Sequence, residues 1–419
     1  MLHLGPRAAD FVWASGIEDT FVPQTRPGHR PLDEYALMGH YEHWREDLAL
    51  APALNIHTLR WGVPWYRVEP LPGEFDWRWT DQVLPYMVEQ LGITPIIDLM
   101  HYGTPFWLRR EFANDDYPRA VANYAAAFAE RYKHLVRWYT PCNEPLVSAL
   151  LSGMNGTWPP YMHGERGYVK MIMQLARGII TTVSALKNVD PGARMVHVEA
   201  AGICRAAHPS LQTLANENRL KGFIVFDLIT GKVTPEHPLF PWLIACGVKP
   251  RELEAIAQQA INIDVMGLNF YPQWSTQELY LNGHSKVAVR TIEHDGSGFG
   301  SMVQDFYTRY EAPIIITETS AKDSEAERSA WLKASLGAIK GLRANGVPVL
   351  GYTWFPLFTM IDWRYRWGRR PLEKYLLDLG MYQLARDGSG NRWRAFPLVD
   401  ELQQYMSDPA QSVGELVVG

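Results

Sequence analysis

The sequence predicts an α/β fold: one (β/α)8 TIM barrel with long βα loops, running as a single domain over residues 1–419. Three observations lead there. Apolar runs of strand length recur eight times, helical patterns separate them, and polar residues stand at the C-terminal ends of the runs, where a barrel carries its functional face.

Phe11–Ala14 opens the series, followed by His57–Trp61, Thr94–Met100, Trp138–Cys142, Ala193–Val198, Val265–Phe270, Ile314–Thr317 and Val349–Trp354. Each is dense in Val, Ile, Leu or aromatic residues, as strands buried on both faces are. Asp33–Leu50 carries Tyr41, Trp44 and Leu48 at helical spacing. Tyr117–Leu135 and Ser324–Asn345 repeat the pattern, the latter stopping at Asn345-Gly346 ahead of Pro348. An open doubly wound sheet shares this alternation but wants a Gly-rich phosphate turn after an early strand. No G-x-G-x-x-G or Walker A sequence occurs, and Gly296–Gly300 follows no strand and is expected to form a mobile loop. A bare barrel takes roughly 250 residues, so the surplus is expected in the βα loops.

Composition narrows the function. With 47% hydrophobic and 20% charged residues the chain is an ordinary globular one, and a net charge of −5 offers no basic field for a nucleic-acid backbone. Three cysteines, Cys142, Cys204 and Cys246, build no disulfide framework, which fits a reducing compartment. Met1–Asp10 lacks the apolar core of a secretory leader, and Gly346–Ile361 is interrupted by Pro348, Gly351 and Pro356, so it reads as a buried strand entering a loop rather than a membrane span. A cytoplasmic protein with no nucleic-acid or membrane partner is expected. Sixteen Trp and 20 Tyr supply flat faces that stack on sugars or fill cores.

The ends of the predicted strands hold the candidate site. Arg60 follows the second, His101 the third, Asn143-Glu144 the fourth and Glu199 the fifth; Asn269 and Tyr271 close the sixth, Glu318 the seventh and Trp354 the eighth. Polar residues there are costly unless satisfied, by one another or by a ligand. Glu144 and Glu318 stand on opposite sides of the predicted mouth. Glycoside hydrolysis needs such a pair, one carboxyl protonated to donate to the leaving oxygen and one ionised to attack or activate water. Arg60 is placed to hold one of them ionised, and Asn143 to donate to a sugar hydroxyl.

These residues carry a family resemblance. Tyr139–Pro145 (YTPCNEP) resembles the T-x-NEP motif of glycoside hydrolase family 1, and Ile316–Ser320 (ITETS) its ITENG motif. His40–Arg60 is similar to the family's stretch from helix one to strand two, with His40, Tyr41, Trp44, Asp47, Leu54 and Arg60 in place. His101, Asn269-Phe270-Tyr271 and Gly351–Trp354 match further motifs, so the likeness runs from about Asp10 to Arg394. It implies a retaining β-glycosidase with Glu144 as acid/base and Glu318 as nucleophile. The chain departs from the family pattern in several places. Gly16 stands where a Gln precedes Ile17-Glu18, leaving Glu18 or Asp19 to grip the sugar; Tyr102 replaces a common Trp. Thr319-Ser320 replaces Asn-Gly, and Phe355–Trp363 keeps only Asp362-Trp363 of the strand-eight sugar contacts, one residue out of register. This resembles divergent barrels associated with dTDP-4-dehydrorhamnose reductase-like proteins.

The expected activity is therefore exo-acting, retaining β-glycosidase hydrolysis through a covalent glycosyl-enzyme, with non-standard sugar specificity. Its expected carboxyl separation is about 5–5.5 Å. The substrate shell would comprise Arg60, His101, Asn143, Asn269, Tyr271, Trp354, Asp362, Trp363 and Glu18. A small carbohydrate or glycoside is the expected partner, with no cofactor or metal. A transglycosidase and a non-hydrolytic carbohydrate-binding barrel are the alternatives. His40 and His43 read as one packed and one exposed histidine, and Cys142 as a core residue. Arg364–Arg370 (RYRWGRR) is either a solvated loop or a site for an acidic or phosphorylated aglycone. Trp158-Pro159-Pro160-Tyr161 is an aglycone platform or a stiffened loop, and Glu199 a third site carboxylate or a buried partner of Arg60.

Overall fold

The computed structural model describes residues 7–292, 298–322, 324–385 and 391–417. Eight parallel strands close into a barrel: β1 (Val12–Gly16), β2 (Thr58–Gly62), β3 (Thr94–Asp98), β4 (Trp138–Thr140), β5 (Arg194–Ala200), β6 (Val265–Asn269), β7 (Ile314–Thr319) and β8 (Val349–Trp354). Each strand pairs with its neighbour in sequence and β8 returns to β1. Closure leaves no sheet edge, which excludes the open doubly wound alternative. Every predicted strand is present, with no end moved by more than two residues and Val349–Trp354 unchanged. Inside the barrel Ile96, Val196, Val198, Val265, Ile315 and Leu350 pack together, so the lumen is a filled core and the chemistry is confined to its mouth.

The helices follow local rules. Ser324 caps Glu325–Ala344 and forms a capping box with Glu327; Asn345 ends that helix and Gly346 takes φ +80°, at the predicted stop. The single helix expected over Asp33–Leu50 is instead two, α1 (Glu34–Met38) and α2 (His40–Ala53), because Gly39 between them adopts φ +70°. Its side chains behave as expected: His40 is buried against Asp47, whereas His43 is half exposed. Gly164–Val189 went unpredicted; it is long and apolar enough to cross a membrane, and most of it is buried inside this fold.

The surplus length lies in the βα loops. Those after β5 and β6 build a three-stranded sheet of Ile203–Ala206, Thr276–Leu281 and Val287–Thr291. Of the expected loop at Gly296–Gly300, the first two residues lie outside the described ones. Gly298 caps, and Phe299 and Gly300 begin, the helix Phe299–Tyr310, so that part is helix entry rather than loop.

Candidate active site

The barrel brings the strand-end residues into one buried network. Glu144 leaves β4 with φ 40° and ψ 63°, a left-handed conformation that costs a non-glycine residue free energy, and directly caps the helix Pro145–Ala149. One carboxyl oxygen accepts from the Tyr102 hydroxyl in a very short hydrogen bond. The other accepts from Asn269 Nδ2 at 3.0 Å. Glu144 is 7% exposed, and burial followed by the charge of Glu318 pushes its pKa up to about 7 against the pull of those two donors.

Glu318 sits where β7 slips its register against both neighbours, an irregularity that re-aims side chains at a strand end. One of its oxygens accepts from Arg60 Nη1 and the other from the Tyr271 hydroxyl at 2.8 Å. The same guanidinium donates to Asp98 Oδ2 at 2.7 Å and Asn143 Oδ1 at 2.9 Å. Arg60 thereby ties β2, β3, β4 and β7 together at the mouth. Asn143 Oδ1 is held by Arg60, its Nδ2 lies 2.9 Å from His101 Nε2, and His101 Nδ1 faces Asp19 at 2.8 Å; against the effect of burial, Asp19 and Asp98 raise the His101 pKa well above its ordinary value. Asp19, Asp98 and His101 lie close enough together to hold a cation; Asp98 Oδ2 already accepts from Arg60 and Asp19 Oδ1 faces His101, while Asp19 Oδ2 and Asp98 Oδ1 have no hydrogen-bond partner among the described residues.

Several expected shell residues belong to this network: Arg60, His101, Asn143, Asn269 and Tyr271 all bond within it. Glu18 borders it, 3.8 Å from His101, with its carboxyl turned to Thr20 and its pKa raised to about 7, chiefly by burial. Others are placed differently. Trp354 turns outward and donates through Nε1 to Leu379 O at 3.0 Å, because alternation gives the inward direction to Phe355, whose ring lies 5.7 Å from the Arg60 guanidinium. Asp362 caps a short helical turn and grips Arg364 at 2.8 Å rather than joining the network. Trp363 reaches the site through its ring, 5.2 Å from Tyr102 and 5.1 Å from Trp158. Glu199 is not a partner of Arg60: it accepts from the backbone N–H groups of Ala200 and Leu146, and burial raises its pKa well above the ordinary value. Cys142 is buried, and burial pushes its thiol up. Trp158 is 1% exposed, so it backs Tyr102 instead of forming an open platform.

Asp98 and Phe355 were not singled out as site groups from sequence, and Asp19 and Tyr102 entered only as an alternative to Glu18 and as a substituted aromatic. Asp98 had a signal, a lone charge in the apolar run TPIIDLM. Gly62 shows how tightly the network is packed, since a Cβ there would fall 1.7 Å from Asp19 Oδ2. Gly62→Ala is expected to displace Asp19 from His101 and to lower stability by about 1–3 kcal/mol, read by urea unfolding; an unchanged midpoint would show that Asp19 moves freely.

Two carboxyl groups in contrasting surroundings, one beside a guanidinium and one buried with a raised pKa, on a barrel mouth lined by polar side chains and aromatics, mark the class as glycoside hydrolase. The glycosyl hydrolase family 1 model matches residues 15–220. Aryl-phospho-beta-D-glucosidase BglA of Bacillus subtilis is 23% identical over 92% of this chain and 89% of its own length. Beta-glucosidase A of Thermotoga maritima is 21% identical over 79% and 80%. The solved structure of the family 1 β-glucosidase from Thermotoga maritima superposes with a TM-score of 0.81 at 17% identity, covering 98% of this chain and 99% of the other. The chain is thus similar to glycosyl hydrolase family 1 in sequence over residues 15–220 and shares the barrel fold of a family 1 β-glucosidase over nearly its whole length.

Proposed function

We propose that the protein is an exo-acting, retaining β-glycosidase in which Glu144 is the acid/base and Glu318 the nucleophile. The observation that carries this is the unequal treatment of the two carboxyls: Arg60 and Tyr271 both donate to Glu318, while burial holds Glu144 toward its protonated form. In the first step a Glu318 oxygen bonds to the anomeric carbon as the glycosidic bond breaks. Glu144 gives its proton to the departing oxygen, which leaves as an alcohol. In the second step Glu144 takes a proton from water, the water oxygen bonds to the anomeric carbon, and Glu318 departs as carboxylate, so the anomeric configuration is retained. A panel of aryl glycosides (β-glucoside, galactoside, fucoside, mannoside, xyloside, rhamnoside and glucuronide) tests this. Release by the wild type and not by Glu318→Ala supports the reading, and silence from the folded protein across the panel counts against it.

Non-standard sugar specificity is part of the proposal. Gly16 offers no side chain at the mouth, Phe355 covers Arg60 and Asp362 is committed to Arg364, leaving Glu18, Asp19 and His101 to meet the sugar.

Tyr102 is a positioning residue in this scheme. Its hydroxyl donates to Glu144, which favours the ionised carboxylate and pulls the pKa down. The acid must be protonated for the first step, so kcat/KM is expected to fall as pH rises through about 7. Tyr102→Phe removes a donor to a charged acceptor and is expected to move that basic limb upward by about one to two pH units. A pH–rate profile whose basic limb stays in place would show that Tyr102 only packs.

A further inference from the structure

Where the loops after β1, β4 and β8 meet, cationic side chains converge without a carboxylate. Arg366 is fully buried, donates to the carbonyls of Val22 and Gln24, and leaves its Nε without a partner. Arg26 lies 4.2 Å over the Tyr161 ring and donates to His29 Nε2 at 3.3 Å. The Tyr161 hydroxyl faces Arg366. Arg30 stacks 3.7 Å over Tyr365, donates to two carbonyls, and has an unpartnered Nη2; His29 Nδ1 is also unpartnered. Among the described residues no Asp or Glu pairs with Arg26, Arg30 or Arg366. Burial and the charges of Arg26 and Arg366 hold His29 below its ordinary pKa, so the local field is positive.

Buried donors without acceptors cost about 1–3 kcal/mol each, and more where the group is charged. Like charges packed this closely add repulsion. One anion in their midst relieves both, and guanidinium groups match the planar oxygens of carboxylate or phosphate. The three loops are βα loops, so the cluster stands on the mouth face. It is also outboard of the carboxyl pair: Glu318 is 5% exposed, while Trp367, whose ring lies 6.5 Å from His29, is 43% exposed. In an exo-acting enzyme the terminal sugar fills the buried end and the aglycone points to the rim.

We propose that Arg26, His29, Arg30 and Arg366 form an anion site that receives a carboxylate or phosphate group on the aglycone. This rests on the glycosidase reading for its substrate half, and the test separates the two. His29 is followed by NMR with and without inorganic phosphate, its signal assigned with His29→Gln. Phosphate is expected to raise the His29 pKa in the wild type and to do so much less in Arg26→Gln, a substitution at an exposed side chain. No phosphate effect, or the same effect in Arg26→Gln, overturns the site. For the substrate half, 4-carboxyphenyl and 4-carbamoylphenyl glycosides of the hydrolysed sugar are compared. The carboxylate is expected to be favoured in kcat/KM by about tenfold or more, with the preference falling toward unity in Arg26→Gln. A phosphate effect without that preference overturns the aglycone assignment and identifies a free-anion site. A phosphate effect in a protein that hydrolyses no aryl glycoside overturns the glycosidase reading and leaves the anion site standing.

Discussion

Glu318→Ala is expected to lower kcat on the best aryl glycoside by a factor on the order of 10^4 or more, the scale seen when a nucleophile is removed from a covalent mechanism. The fold should survive, since the Ala leaves Arg60 bonded to Asp98 and Asn143. Added azide or formate fits the space vacated by the carboxylate and attacks the anomeric carbon from the same side. It should restore part of the rate and yield a product of inverted configuration, read by NMR of the released sugar derivative. A variant that kept most of its activity, or whose rescued product retained configuration, would remove Glu318 from the nucleophile role.

Arg60→Gln carries the largest expected effect on stability. Arg60 is 2% exposed and is the cation shared by Glu318 and Asp98. Removing one partner of a buried ion pair leaves uncompensated charge and costs about 3–5 kcal/mol. Urea unfolding at neutral pH reads this directly, and no loss at all would show that Glu318 and Asp98 are held by other groups. Arg60→Lys is not expected to rescue, because one ammonium cannot reproduce a fork that reaches Glu318, Asp98 and Asn143 together.

The closed barrel was legible because a strand buried on both faces must be apolar throughout, and eight such runs separated by helical patterns have few ways to pack. Capping was legible for the same local reason: Ser324, Glu327 and Asn345-Gly346 satisfy backbone groups within a few residues of themselves. Gly39 shows the limit of that kind of reading, since a helical pattern continues across it while its backbone turns left-handed. The strand-end polar residues and the Glu144–Glu318 pair were legible as a set, because charge at the end of an apolar strand demands a partner.

The identity of those partners was not legible. Whether Arg60 meets Glu318 or Glu199, whether Trp354 or Phe355 faces the mouth, and that Asp362 turns to Arg364 all depend on strand register and loop paths. Tyr102 reads as a substituted aromatic in the chain and becomes a donor to Glu144 only when the loop after β3 meets the end of β4. The cationic convergence of Arg26, Arg30 and Arg366 joins residues more than 300 positions apart, and only Arg366 fell within a basic run. The sequence alone determined the fold class, the strand order and the residue types at the mouth, because these follow from local periodicity and the cost of burying polar groups. Tertiary structure decided which carboxyl is held by a cation and which is left to burial, because pairing and desolvation are properties of distance in space.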